Sequence, residues 1–139
     1  MLATMTFRSQ RWHGRRPRRT PDLVGITSVP GLVEGPGGRR RLTFTVDSGA
    51  VYTVLPGRVW RALGLEPTRA AEFSLADGTT IRRGIAEARF RIAGCTATSP
   101  VVCGEDRDAA LLGAVTLETL GFMLNPLTRE VLPMRLLLG

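Results

Sequence analysis

The sequence predicts one mostly-β domain with two short helices, and three observations predict it. Its 139 residues, 43% of them hydrophobic, are enough for a single core and too few for two comfortable ones. Aromatics make up only 6% while Gly and Pro number 16 and 9, so the core must come from Val, Leu, Ile and Ala in a chain that turns often. Several apolar runs alternate with a period of two, which turns one face of each toward a core and the other toward water.

Taken in order, the elements begin after a boundary at Thr20-Pro21. From Leu23 the chain is apolar, with Val24, Ile26 and Val29 ahead of a turn at Pro30-Gly31 and a second break at Glu34-Gly-Pro-Gly-Gly38. Arg41 to Val46 alternates cleanly, Leu42, Phe44 and Val46 on one face and Arg41, Thr43 and Thr45 on the other, and this half-buried strand runs straight into Asp47-Ser48-Gly49. Val51 to Leu55 reads as extended. Pro56 then opens a helix through Leu65, with Val59, Trp60 and Leu63 at helical spacing and Gly64 at its end. Glu72–Leu75 and Thr79–Arg82 flank Ala76-Asp77-Gly78, and Asp-Gly between extended runs signals a β-hairpin because both residues tolerate positive φ. Strands follow at Ala86–Ile92 and Ser99–Cys103, with Gly94 turning the chain between them. After the polar turn Gly104–Asp108 come the apolar Ala109–Gly113, a short helix from Val115 to Leu120 closed by Gly121, and a strand at Phe122–Leu124. Asn125-Pro126 turns into a last extended segment, Glu130–Leu137. The sequence contains no internal repeat, and Asp-Ser-Gly occurs once.

Charge separates residues 1–22 from the domain at 23–139. All 19 basic positions are Arg, and the first 22 residues hold six of them against Asp22 alone, which is +5 of the net +7. Blocks of like charge are usually solvated and disordered, and we read residues 1–22 as such an arm. Its guanidinium groups are also suited to nucleic-acid phosphates or an anionic membrane. No apolar run approaches the roughly 20 residues that span a bilayer, and the arm has no apolar signal core, so a soluble, cytoplasmic protein without a membrane partner is the expectation.

Composition also excludes chemistry. The one histidine, His13, lies in the arm, and Cys95 and Cys103 do not form a CxxC pair. A zinc site lacks ligands, and Ser-His or Cys-His machinery lacks a base, so no metal is expected and any catalysis must rest on carboxylates. The cysteines are expected as buried small hydrophobes on strands in a reducing compartment. Asp47 stands out because it ends one apolar strand and precedes another apolar run, where desolvating a carboxylate is costly without a task or partner. Asp77, in contrast, is explained by its turn.

Three motifs, Val46-Asp-Ser-Gly-Ala50, Leu75-Ala-Asp-Gly-Thr79, and Ala110-Leu-Leu-Gly113 followed by Leu117–Gly121, resemble in order and spacing those of the retropepsins. These are the small aspartic proteases of retroviruses and their bacterial relatives, and the likeness spans residues 24 to 126. The bacterial members share a short helix after the catalytic loop and an Ala-Asp-Gly-like flap tip. The resemblance implies a closed acid-protease barrel with one short helix after the catalytic loop and one near the C-terminus. It implies an endopeptidase in which Asp47 from each of two chains forms a dyad that activates water on a peptide or protein substrate, with no cofactor. Ser48, Gly49 and Ala50 would support the catalytic loop, and Ala76, Asp77, Gly78 and Thr79 would form the flap. Val54 and Leu111 either line substrate pockets or belong to the core. Viral members pair an Asp two residues after the loop Gly with an Arg after the second-motif Gly, and this chain has Val51 and Ala114 there instead. Because both partners are replaced together, no buried charge is orphaned. Val131–Leu138 offers an apolar segment to a dimer interface. Two rival readings are an inactive dimer of this fold that binds protein or nucleic acid, and a dimeric platform whose arm binds nucleic acid.

Overall fold

The computed structural model describes residues 27–47, 49–125 and 127–134. The expected arm at 1–22, the apolar Leu23, Val24 and Ile26, Ser48, Pro126 and the segment 135–139 lie outside the described residues. Among the described residues nine strands and two helices follow one another as β1 (Thr27–Gly35), β2 (Gly38–Val46), β3 (Thr53–Leu55), α1 (Gly57–Ala62), β4 (Arg69–Ser74), β5 (Thr80–Ile92), β6 (Cys95–Cys103), β7 (Leu111–Leu112), α2 (Ala114–Thr119), β8 (Phe122–Asn125) and β9 (Glu130–Pro133). Seven strands form one sheet in the order β1-β2-β7-β3-β6-β5-β4, and β1 also pairs with β5, so the sheet closes on itself with β4 as an extension. β8 and β9 form a separate hairpin.

The alternation in the sequence becomes the inside and outside of this sheet. Val29, Val33, Phe44, Phe90, Ile92 and Val101 are each at most 1% exposed. Leu55, Leu63 and Leu112 join them, and Phe122 and Val131 bring the β8–β9 hairpin into the same cluster. Phe44 and Phe90 meet at 6.0 Å across the interior. Each buried side chain of this size contributes about 1.5–3 kcal/mol relative to exposure. Cys103 belongs to the core, where burial pushes its thiol pKa up, and Cys95 is half-buried.

Several boundaries differ from expectation. Pro30-Gly31 is no turn: β1 runs through it to Gly35. Pro30 is tolerated because β1 pairs with β5 only at Leu32–Glu34, which leaves the β1 edge open beside Pro30, and Gly31 lies flat against Phe44 and Ile92. The break at 34–38 is the β1–β2 turn, and its Gly37 N–H donates to the Leu63 carbonyl at the end of α1. The two extended runs expected at Thr79–Arg82 and Ala86–Ile92 are one 13-residue strand, β5, because β6 holds Gly84–Ile92 and β4 holds Thr80–Ile85. The run from Val51 narrows to the three residues of β3, and Ala109–Gly113 to the two of β7. Helix α1 ends at Ala62, with Leu63 as its C-cap and Gly64 at φ +68°. Strand β9 ends at Pro133, and residues 135–137 of the segment expected there lie outside the described residues.

Candidate active site

Asp47 directly follows β2, and the chain beyond it is fastened to the segment after β7. β7 pairs with β2 in parallel, Thr45 with Leu111 and Val46 with Leu112, and with β3 through Val54 opposite Leu111. The loop between β2 and β3 therefore leaves the sheet and returns to it on either side of β7. Its backbone is tightly bonded. The Asp47 N–H donates to the Leu112 carbonyl at 3.3 Å and the Ala50 N–H to the Asp47 carbonyl at 3.1 Å. The Ala50 and Val51 carbonyls accept from the N–H groups of Ala114 and Val115 at 2.9 and 3.0 Å. Helix α2 has no side-chain cap, so these loop carbonyls supply acceptors that its first turn would otherwise lack. No ion pair is needed at Val51 and Ala114, since backbone hydrogen bonds on these two segments join the loop to the helix.

Gly113 makes this junction sterically feasible: a Cβ there would sit 2.6 Å from the Tyr52 oxygen and 2.7 Å from the Val51 oxygen, both rigid backbone atoms. Beneath it lies a line of hydroxyls that sequence reasoning missed. The Gly113 N–H donates to Thr53 Oγ1 at 3.0 Å, Thr53 Oγ1 is 2.5 Å from Thr116 Oγ1, Thr116 Oγ1 is 2.9 Å from Ser99 Oγ, and Ser99 donates to the Pro100 carbonyl at 3.2 Å. Each hydroxyl carries one proton and can also accept, and in the Thr53–Thr116 and Thr116–Ser99 contacts either oxygen can be the donor. All three residues are at most 1% exposed and no buried side-chain polar atom among the described residues lacks a partner.

The carboxylate itself is at the surface. Asp47 Oδ1 accepts the Gly49 N–H at 2.9 Å, which orients it within its own loop, and the residue is exposed in the single chain. Val51 beside it is 59% exposed.

A groove of about 540 Å³ runs from this loop toward the β4–β5 hairpin. Gly49, Ala50, Val54 and Leu111 line its floor, and Phe73, Leu75 and Ile81 of the hairpin stem face them. Both Val54 and Leu111 are half-buried, so they belong to the sheet and present surface to the groove at once. Tyr52, Phe73, Ile81 and Arg83 were not anticipated; Tyr52 and Phe73 meet edge-on at 6.4 Å and tie the loop to the hairpin stem. Arg83 is held by Glu105 at 3.0 Å.

Ala76, Asp77, Gly78 and Thr79 form the exposed hairpin tip and do not line the groove. The Asp-Gly hairpin forms as expected, with Gly78 but not Asp77 at positive φ (+86°). Asp77 Oδ1 instead accepts from the Thr79 hydroxyl at 2.6 Å and the Thr79 N–H at 2.9 Å, which holds its carboxyl below the usual pKa. A third carboxylate, Asp108, lines the groove but caps its own turn through the Glu105 N–H at 2.7 Å. Among the described residues no group of three or more His, Cys, Asp or Glu could hold a metal ion, and no helix is long and apolar enough to cross a membrane.

A family model described as gag-polyprotein putative aspartyl protease matches residues 36–119. No curated protein matches the chain. Among solved structures, the solution structure of Simian Foamy Virus (mac) protease is similar with a TM-score of 0.49 and 18% identity, over 66% of this chain and 91% of that one. The foamy viral protease-reverse transcriptase, solved in complex with an RNA/DNA hybrid, is similar with a TM-score of 0.50 and 17% identity, over 67% of this chain and 12% of that one.

Proposed function

The chain belongs to the family of gag-polyprotein putative aspartyl proteases and has a retropepsin-like fold, and from that premise we propose that it is a homodimeric aspartic endopeptidase whose dyad is Asp47 from each of two chains. The observation that supports this reading is an exposed Asp47 carboxylate, oriented by its own loop, where the loop's next residues, Gly49 to Tyr52, line a mainly apolar groove that extends to the β4–β5 hairpin stem.

Hydrolysis of a peptide bond by water needs a base for the water and an acid for the carbonyl oxygen. One chain contributes one Asp-Ser-Gly, so a second chain completes the pair across a twofold axis. Two carboxylates in contact do not both ionise readily, and such a dyad holds one proton between them, as in the known aspartic proteases. The ionised member takes a proton from water as its oxygen attacks the scissile carbon, and the protonated member gives its proton to the carbonyl oxygen. The resulting tetrahedral diol collapses with proton transfer to the leaving nitrogen, and no covalent intermediate forms. Ser48 contributes a hydroxyl hydrogen bond between the two loops, and Gly49 and Ala50 keep the backbone close enough for them to meet. The flap residues Ala76–Thr79 close over an extended peptide, whose side chains reach Val54 and Leu111.

Peptide-library cleavage by purified protein tests this. Wild type is expected to cleave, and Asp47→Asn, nearly isosteric but unable to act as base, is expected to stay folded and lose at least about 10²-fold in rate. Equal cleavage by the two proteins would remove Asp47 from the mechanism.

A further inference from the structure

We infer that the outer face of strands β2, β1 and β5 binds the phosphate backbone of duplex nucleic acid without reading its sequence. The strand register builds this face from arginine. Leu32 pairs with Arg41 on one side and Arg91 on the other, so Arg41, Leu32 and Arg91 stand in one row across three strands. Glu34 pairs likewise with Arg39 and Arg89, which makes a second row. Alternate residues of a strand share a face, and Val33 between Leu32 and Glu34 is fully buried, so both rows point away from the core. Strand spacing puts the arginine columns about 10 Å apart and the rows about 7 Å apart.

All four arginines are exposed, and among the described residues none takes part in an ion pair. Glu34 is the one carboxylate inside the array, and Glu87 lies one row further along β5. Four guanidinium groups against one carboxylate leave this patch at +3. At the end where β1 parts from β5, Pro30, Leu32, Arg41, Thr43 and Arg91 line a shallow hollow of about 400 Å³. Guanidinium is the side-chain cation that matches phosphate oxygens in pairs, and a repeated polyanion can engage both rows at once.

What the face lacks narrows the partner. Its strand residues include no outward-facing aromatic, so it has no platform on which single-stranded bases could stack. Among the described residues the exposed large hydrophobics Val51, Leu75, Met123 and Leu127 lie elsewhere and Leu32 on this face is half-buried, so it offers no broad apolar stripe of the kind an amphipathic anchor inserts into a bilayer. A hydrated duplex backbone asks for neither. Arg41 precedes Asp47 by six residues, about 20 Å along the strand, so the arginine array and the candidate site lie toward opposite ends of β2.

The test is fluorescence anisotropy of a labelled mixed-sequence DNA duplex of about 20 base pairs, titrated with full-length protein between about 50 and 200 mM salt. Wild type is expected to bind with a steep fall of log K against log salt. Replacing Arg39, Arg41, Arg89 and Arg91 together by Gln should make that slope shallower by about 2–4, near 0.9 for each phosphate no longer engaged, and weaken binding more than about 10-fold. The four Lys replacements should keep most of the slope. A parallel full-length variant with Gln at Arg8, Arg11, Arg15, Arg16, Arg18 and Arg19 separates the N-terminal cluster from the sheet. Loss of all binding in that variant, with the sheet variant unchanged, would overturn the proposal. So would binding to phosphatidylserine vesicles but not to duplex. If the fourfold Gln variant fails to fold, the pairs Arg39→Gln/Arg41→Gln and Arg89→Gln/Arg91→Gln decide: each should remove about half of the slope change, and no change in either refutes the site.

Discussion

Thr53 does more for the candidate site than its place inside a three-residue strand suggests. Its oxygen receives the Gly113 N–H and also meets the Thr116 hydroxyl, which meets Ser99 in turn, so one hydroxyl orients the segment that holds the Asp47 loop. Thr53→Val keeps the shape and deletes the oxygen, leaving the Gly113 N–H without an acceptor in a site closed to water. Such an orphaned buried donor costs about 1–3 kcal/mol, which equilibrium urea denaturation should register as a lower midpoint at unchanged m. Thr53→Ser, which restores the hydroxyl, should recover most of that loss. A Val variant as stable as wild type would mean that the bond contributes nothing net.

At the scale of elements, the β4–β5 hairpin shows how local chemistry and long-range pairing divide the work. Its tip is held by Asp77, whose carboxylate accepts the hydroxyl and the N–H of Thr79, and these bonds favour the ionised form. The folded pKa is therefore below the unfolded one. The stabilisation is fully present above the unfolded value and is lost as pH falls through the folded one. An NMR titration of the Asp77 carboxyl should give a midpoint below that of a free Asp, and Thr79→Ala should move it back up, since the side-chain hydroxyl is the larger influence. A midpoint unmoved by Thr79→Ala would contradict this account of the tip. Such a turn is legible in sequence because Ala76-Asp77-Gly78 carries its chemistry within five residues, and the Arg41–Val46 alternation ending at Asp47 is legible for the same reason. The Thr53–Thr116–Ser99 line is not, because its members come from β3, α2 and β6 and meet only through the parallel β3–β6 pairing. Nor is the two-residue β7 visible as a strand: Leu111 and Leu112 owe that state to partners 57 to 66 positions earlier in the chain. Pro30-Gly31 fails to turn because Pro and Gly punctuate a chain only where its neighbours do not hold it, and β2 holds it here.

At the scale of the molecule, the proposed chemistry requires something a single chain does not contain. Asp47 is exposed in the single chain and Val51 nearby in sequence is 59% exposed, whereas a working dyad needs its second carboxylate close against the first and bulk solvent, though not the attacking water, kept from both. The inference that two chains supply it can be tested by mixing. Wild-type and Asp47→Asn proteins are co-refolded at fixed total concentration so that subunits pair at random, and peptide cleavage is followed against the wild-type fraction. A mixed dimer holds one carboxylate and one amide, and a lone carboxylate cannot act as base and acid in the same step. Activity should then follow the square of the wild-type fraction, so that equal mixing leaves about a quarter of it. For wild type alone, activity should also fall faster than linearly on dilution near the dimer dissociation constant, because association is driven by mass action. Native mass spectrometry of isotope-labelled chains would establish that mixing had occurred. With that established, a linear dependence on wild-type fraction would mean each chain carries its own complete site, and the shared dyad would be excluded even with the fold unchanged.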